Sequence, residues 1–183
     1  VIVEIGVCDF ETLAGQKPGI FVEPIKTYFD RLPANCNKEN VAVSNYAGSI
    51  DIYYVPEHII VEHGLDDWLR GCNSVNKLHP QHHHLPPEWI WCDTVPVVRI
   101  KSLLDKYAVT HIDLLKIDTE GHDTVILHDF LDTCMLRPAE ILFESNALTP
   151  RHLIDEMLDR LARQNYLVND MGDQCQALDS LGL

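Results

Sequence analysis

The stretch Leu114–Asp123, LLKIDTEGHD, constrains this chain more than any other. Leu114, Leu115 and Ile117 form an apolar run broken only by Lys116, the pattern of a strand buried on both faces of a parallel sheet covered by helices. Asp118, Glu120 and Gly121 stand where that strand must end, and Val125, Ile126, Leu127, Phe130 and Leu131 then recur at helical spacing. In open α/β sheets ligands bind beyond the carboxyl ends of the strands, so two acids at this point are placed for chemistry. The competing explanation is local, because acids near a helix start are favoured by the helix dipole.

The same alternation runs along most of the chain. Val1–Ile5 reads as a first strand broken by Gly6, and Asp9–Ala14 as one or two helical turns before Gly15 and Pro18. Ile20–Val22 reads as a second strand ending at Glu23-Pro24, with a helix through Ile25, Tyr28, Phe29 and Leu32 behind it. Val41–Val43 gives a third strand and Ile50–Val55 a fourth β segment, which completes a doubly wound rhythm. Later, Val95–Ile100 reads as extended, Ser102–Tyr107 as a short helix, and Ile112–Ile117 and Glu140–Phe143 as strands. Thr149-Pro150 supplies an N-cap and a first-turn proline for a helix to about Gln164. Its inner face carries Leu153, Ile154, Met157, Leu158 and Leu161, and its surface the spaced pairs Glu156/Arg160 and Asp159/Arg163. Tyr166–Val168 and Gln176–Leu178 form a closing hairpin. The expectation is an α/β fold: a mostly parallel seven-stranded sheet with helices on both faces and an antiparallel last strand. One domain is expected to take up all 183 residues.

Residues 56–93 break the rhythm. They hold Trp68, Trp89 and Trp91, six of the ten histidines, and Pro86-Pro87. A long irregular excursion in a compact domain is commonly a lid or a functional loop, although it can simply cover a sheet edge. Within it, HPQHHH places His79, His82, His83 and His84 together, and imidazole suits zinc, copper and nickel. No ordered ligand spacing accompanies them, so the tract reads as solvated and no metal is expected.

Charge narrows the partners. Fourteen basic residues against 28 acidic ones give a formal charge of −14, a field that repels phosphate backbones and anionic lipid. No nucleic-acid or membrane partner is therefore expected, and a small-molecule ligand suits the chain better. No apolar run approaches the ~20 residues that span a bilayer, and no basic-then-apolar leader is present. The six cysteines lack any CxxC pair, so reduced thiols and a cytoplasmic location are expected. Val1 stands where a complete chain would carry methionine, so preceding residues are expected.

Gly6 lies where backbone must pass close to a ligand, and Glu23 where nucleotide-binding α/β folds place an acid on ribose hydroxyls. Cys8 occupies the second glycine position of a GxGxxG fingerprint. A dinucleotide needs those glycines so that its pyrophosphate can approach a helix N-terminus. S-adenosylmethionine has no phosphate, and one glycine suffices for it.

EIGVCDF (Glu4–Phe10), VEP (Val22–Pro24), VAVS (Val41–Ser44), KIDTEGHD (Lys116–Asp123) and FESN (Phe143–Asn146) occur in this order. Together they resemble the FkbM-type methyltransferases, a group of class I S-adenosylmethionine-dependent enzymes. KIDTEGHD is close to the family's IDxEGxE signature. The family commonly has Asn and then Asp-Gly where this chain has Cys8, Asp9 and Phe10. The resemblance implies a Rossmann-like class I methyltransferase fold and S-adenosylmethionine as cofactor, held by Glu4, Gly6, Asp9, Glu23, Ala42 and Ser44. Gly6 and Asp9 would lie under its methionine part, Glu23 on the ribose, and Ala42 or Ser44 beside the adenine. Asp118 and Glu120 would face the methyl group and the acceptor, with His122 a candidate base. The implied reaction is O-methylation of a hydroxyl on a sugar or natural-product-like small molecule. Two other readings stay open: a metal-dependent hydrolase using Asp118, Glu120 and loop histidines, and a nucleoside-binding module without turnover.

Overall fold

The computed structural model describes residues 1–9, 12–77 and 79–181. In chain order its elements are β1 (Ile2–Ile5), β2 (Gly19–Val22), α1 (Lys26–Arg31), β3 (Asn37–Glu39), β4 (Ala42–Ser44), β5 (Gly48–Tyr54), α2 (Glu57–Glu62), β6 (Trp91–Arg99), α3 (Ile100–Lys106), β7 (Leu114–Ile117), α4 (Asp123–Thr133), β8 (Glu140–Glu144), α5 (Arg151–Arg163), β9 (Tyr166–Asp170) and β10 (Gln174–Asp179). Seven strands form one sheet in the order β3-β2-β1-β7-β8-β10-β9. β1 pairs in parallel with both β2 and β7, so Val3 lies between Ile20 and Leu115. β10 runs antiparallel to β8 and β9. This is the expected mixed sheet of a Rossmann-like methyltransferase fold.

Strand alternation divides the core. Val3, Ile5, Ile20, Val22, Leu115 and Ile117 pack with Leu103, Phe130, Met157 and Leu161, so α3, α4 and α5 all bring apolar residues to one face. Ile2 and Phe21 point the other way, against Val7, Ala14 and Leu32. On that side Glu4, wholly buried, receives Lys116 Nζ at 2.9 Å, the Thr12 hydroxyl at 2.9 Å and the Leu13 N–H at 3.0 Å. A buried carboxylate demands such partners. The exceptional lysine of the β7 run is thus the counter-ion of the acid in β1.

Four local expectations are corrected. Among the described residues no helix follows β1, because Glu4 draws the Thr12–Leu13 segment onto the sheet and out of a helical ladder; Phe10 and Glu11 lie outside the described residues. Val41–Val43 is not the third strand of the main sheet. That place belongs to β3, a polar edge strand whose Lys38 donates to the Phe29 and Leu32 carbonyls at the end of α1. β4 joins β5 and β6 in a separate three-stranded sheet, whose Ile52, Val95 and Val97 pack with Cys8, Ile25 and Tyr28. α5 starts at Arg151, with Pro150 extended at its N-cap and no side-chain cap. Arg160 reaches Asp132 and His128 of α4 instead of pairing with Glu156, which ties two helices together rather than bracing one.

Residues 56–93 are less irregular than their sequence suggests. They contain α2, short 3-10 turns at Asp67–Gly71, Pro80–His82 and Pro87–Trp89, and the start of β6. Val55, Ile60, Leu69 and Cys72 give them a small core of their own. No helix of the described residues is long and apolar enough to cross a membrane.

The Glu4–Lys116 pair offers a test of this packing. Lys116→Met is expected to cost about 3–5 kcal/mol in urea unfolding, since it strands a buried charge. The double variant Glu4→Gln/Lys116→Met is expected to recover most of that loss. Additive losses would show that the two groups are not coupled.

Candidate active site

The carboxyl ends of β1, β2 and β7 are laced together by backbone. The Gly6 and Val7 N–H groups both donate to the Val22 carbonyl, at 3.0 and 3.3 Å, and the Asp118 N–H donates to Ile5 at 2.9 Å. Gly6 has φ +79°, and a Cβ built on it would lie 1.7 Å from the Asp118 carbonyl oxygen. Only glycine fits there. The chain then turns through Cys8, which has a left-handed φ of 49°. The Cys8 N–H donates to one oxygen of Glu23 and the Ile25 N–H to the other, each at 2.7 Å. Glu23 is 2% exposed. Burial pushes its carboxyl up to about 7, although the two N–H groups pull it down.

These residues border a cleft. Gly6 and Cys8 form one side with Glu23 and Pro24. Val41, with Ala42 and Val43 of β4 and Ile52 of β5, forms an apolar wall, Asn73 and Val75 come from the segment after α2, and Thr119 and His122 close the rest. His122 Nε2 lies 2.9 Å from the Ser44 hydroxyl. Burial lowers its pKa, so the ring is neutral at neutral pH.

A second cavity lies on the Glu120 side of the 118–122 loop. Trp68, Cys72, His79, Pro80, Glu120, Asn146 and Leu148 are among its walls. The loop reverses through Glu120 and Gly121 at φ 53° and 96°, and a Cβ on Gly121 would press on Leu148 at 3.0 Å. The Glu120 carboxylate meets His79 Nε2 at 3.2 Å, and its carbonyl accepts the Ser74 hydroxyl at 2.7 Å. One oxygen each of Asp118, Glu120 and Glu144 lies within 4.8 Å of the others. Burial, with the nearby Glu120, Asp123 and Asp118 charges, pushes Glu144 up to about 9. Glu144 therefore carries a proton at neutral pH, which eases the repulsion among these carboxylates. Asp123 braces the loop from beneath. Fully buried, it accepts the Thr119 hydroxyl at 2.8 Å and the Glu144 N–H at 3.2 Å.

Gly6, Glu23, Ala42 and His122 therefore share one cleft, and Ser44 meets it through His122. Glu120 faces the second cavity, with Asp118 in its carboxylate trio. Glu4 and Asp9 do not line the cleft. Glu4 is committed to Lys116 and the 12–13 segment, and Asp9 to Arg31 at 2.7 Å and Arg70 at 2.5 Å. Asp9 thus ties the β1 turn to α1 and to the 3-10 turn at Asp67–Gly71. Sequence reasoning missed Thr119, which sits inside the motif, and Glu144, which ends the strand next to β7. It also missed His79, because the tract taken as solvated is split: His79 and His82 are buried while His83 and His84 are exposed. Of the tryptophans, Trp68 lines the second cavity, whereas Trp89 stacks on His63 at 4.0 Å and Trp91 meets His58 edge-on at 5.3 Å.

A family model described as the methyltransferase FkbM domain matches residues 5–168 of this chain. No curated protein and no solved structure matches it.

The electrostatics of Glu23 give a pH test with a defined sign. Its folded pKa of about 7 lies above the ordinary 4.5, so its stabilising share is complete below about 4.5 and is lost as pH rises through 7. Glu23→Gln does not titrate. Its stability relative to wild type is expected to rise over that window, by up to about 1.4 kcal/mol per pH unit. Parallel melting-temperature curves for the two proteins between pH 5 and 8 would contradict this.

Proposed function

This chain belongs to the FkbM methyltransferase family, and we propose that it transfers the methyl group of S-adenosylmethionine to a hydroxyl of a small molecule in the cytoplasm. The observation that carries the reading is the pair of cavities divided by the 118–122 loop. One has a close-approach glycine, a buried acid and apolar walls; the other has carboxylates and an indole.

The residues present fit this donor. Glu23 spends one lone pair of each oxygen on the Cys8 and Ile25 N–H groups, which leaves acceptor capacity for a ribose diol. The apolar wall of Ala42, Val43 and Ile52 suits adenine, and Gly6 allows backbone contact with the methionine portion. The formal charge of −14 and the carboxylate-rich loop favour a cationic sulfonium. Bound, the donor supplies an electrophilic methyl group whose transfer leaves a neutral thioether.

The chain's own work is positioning and proton removal. Asp118 and Glu120 orient the acceptor hydroxyl and take up its proton, and Glu144, held protonated by burial and these charges, lies beside them without adding a further charge. His122 serves as a neutral wall of the donor cleft, oriented by Ser44, rather than as the base. Trp68 offers an apolar face for a sugar or ring, and residues 56–93 act as the lid over the acceptor. The six unpaired cysteines suit a reducing compartment. Family membership favours transfer over the hydrolase reading.

Calorimetry with S-adenosylmethionine is expected to show Glu23→Gln weakening binding by about 1–3 kcal/mol, the scale of a lost charge-assisted hydrogen bond. Unchanged affinity in a folded variant would remove Glu23 from the donor site. Asp118→Asn keeps the size and removes the basicity. It is expected to lower turnover by ~10²–10⁴-fold with donor affinity retained. Near-normal turnover with a lowered melting temperature would make Asp118 a structural acid.

A further inference from the structure

The buried half of the histidine tract is not explained by methyl transfer. His79 and His82 are each 1% exposed, with ring centroids 4.7 Å apart. Buried polar groups ordinarily have partners, yet the His82 ring has no side-chain partner and faces only the Cys72 backbone. Cys72 is a buried thiol in the same region, and Glu120 reaches His79 Nε2 at 3.2 Å. One donor atom each from Cys72, His79 and Glu120 lies within 4.8 Å of the other two. Backbone contacts hold the group in place: the Cys72 N–H closes the preceding 3-10 turn on Leu69 at 3.1 Å, and the His82 N–H bonds the His79 carbonyl at 2.9 Å.

We propose that Cys72, His79 and Glu120 form a binding site for a divalent transition metal of the zinc class, with the fourth position open to the second cavity. Thiolate, imidazole and carboxylate together select such an ion over magnesium or calcium, which prefer oxygen alone. Tetrahedral zinc with bonds of about 2.0–2.3 Å sets neighbouring donor atoms roughly 3.3–3.8 Å apart, so the cluster has to contract by only about an ångström. The electrostatics also require a cation for all three to act as ligands. Burial and the Glu120 and Glu144 charges push the Cys72 thiol up to about 12, and a dication reverses the sign of that interaction. On binding, the Cys72 proton leaves to solvent. The His79 ring proton moves from Nε2 to Nδ1, which gives up the 3.2 Å contact from the Gln81 N–H. Cys72, His79 and Glu120 all line the second cavity, so the ion has an open face, and Asp118 remains as the proton acceptor. The site stands independently of the methyl-donor assignment.

The test uses Co²⁺ as a spectroscopic probe on protein purified without a histidine tag and stripped with chelator. Wild type is expected to bind a single equivalent, with a thiolate-to-cobalt charge-transfer band and tetrahedral visible bands that Zn²⁺ abolishes. Cys72→Ser is expected to lose the charge-transfer band, and His79→Gln to weaken binding at least tenfold. His83→Ala/His84→Ala is expected to titrate as wild type. The site is overturned if wild type shows no thiolate band, if the band persists in Cys72→Ser, or if the His83/His84 variant abolishes binding. The first of these outcomes needs no variant to fold.

Discussion

The approach of Gly6 to the Asp118 carbonyl is the contact on which the rest of the structure depends. With 1.7 Å between a hypothetical Cβ and that oxygen, the turn after β1 and the loop after β7 occupy space that any side chain would deny them. Their proximity lets the Asp118 N–H close on Ile5 and both Gly6 and Val7 close on Val22. The three central strands therefore end together, and their loops open into one region. Each candidate group hangs from this junction: Glu23 after β2, Thr119 to His122 after β7, Glu144 at the end of β8.

The junction concentrates negative charge. Glu23, Asp123 and Glu144 are all pushed upward chiefly by burial, a cost that a fold bears only where something offsets it. Backbone N–H groups offset part of it for Glu23 and Asp123. Glu144 has one oxygen bonded to Asn146 and one that is buried without a partner. A cationic ligand in either cavity relieves this strain more effectively than any neutral one.

What the sequence made legible follows from periodicity. The LLKI run, its flanking acids and the helical spacing beyond them locate β7, the 118–122 loop and α4 within two residues. The register of β1 against β7 then follows from the sheet order. Elements held by tertiary contacts were not legible. β3 carries no apolar run, because an edge strand with Lys38 and Glu39 engaged at its flanks needs none. The β1–β2 connection reads as helical until Glu4 is seen to claim the Thr12 hydroxyl and the Leu13 N–H. Asp9 looks like a cofactor ligand until two arginines from distant segments are seen on it. His79 and His82 were hidden for a related reason, since a 3-10 turn has too few residues to print a burial pattern.

The connection after β1 also bears on which ligand the fold can take. Dinucleotide-binding sheets place a helix directly after the first strand, and its N-terminus receives the pyrophosphate. Here the described residues show no such helix. The turn is fixed by carboxylates instead: Glu23 accepts the Cys8 N–H, Glu4 accepts the Leu13 N–H, and Asp9 pairs with Arg31 and Arg70. Lys116 and the two arginines neutralise Glu4 and Asp9, so Glu23 is the acid of this turn that faces the cleft. Among the described residues this turn therefore presents no helix N-terminus to a pyrophosphate. The way the turn is held bears on phosphate binding before any residue of the second cavity is considered.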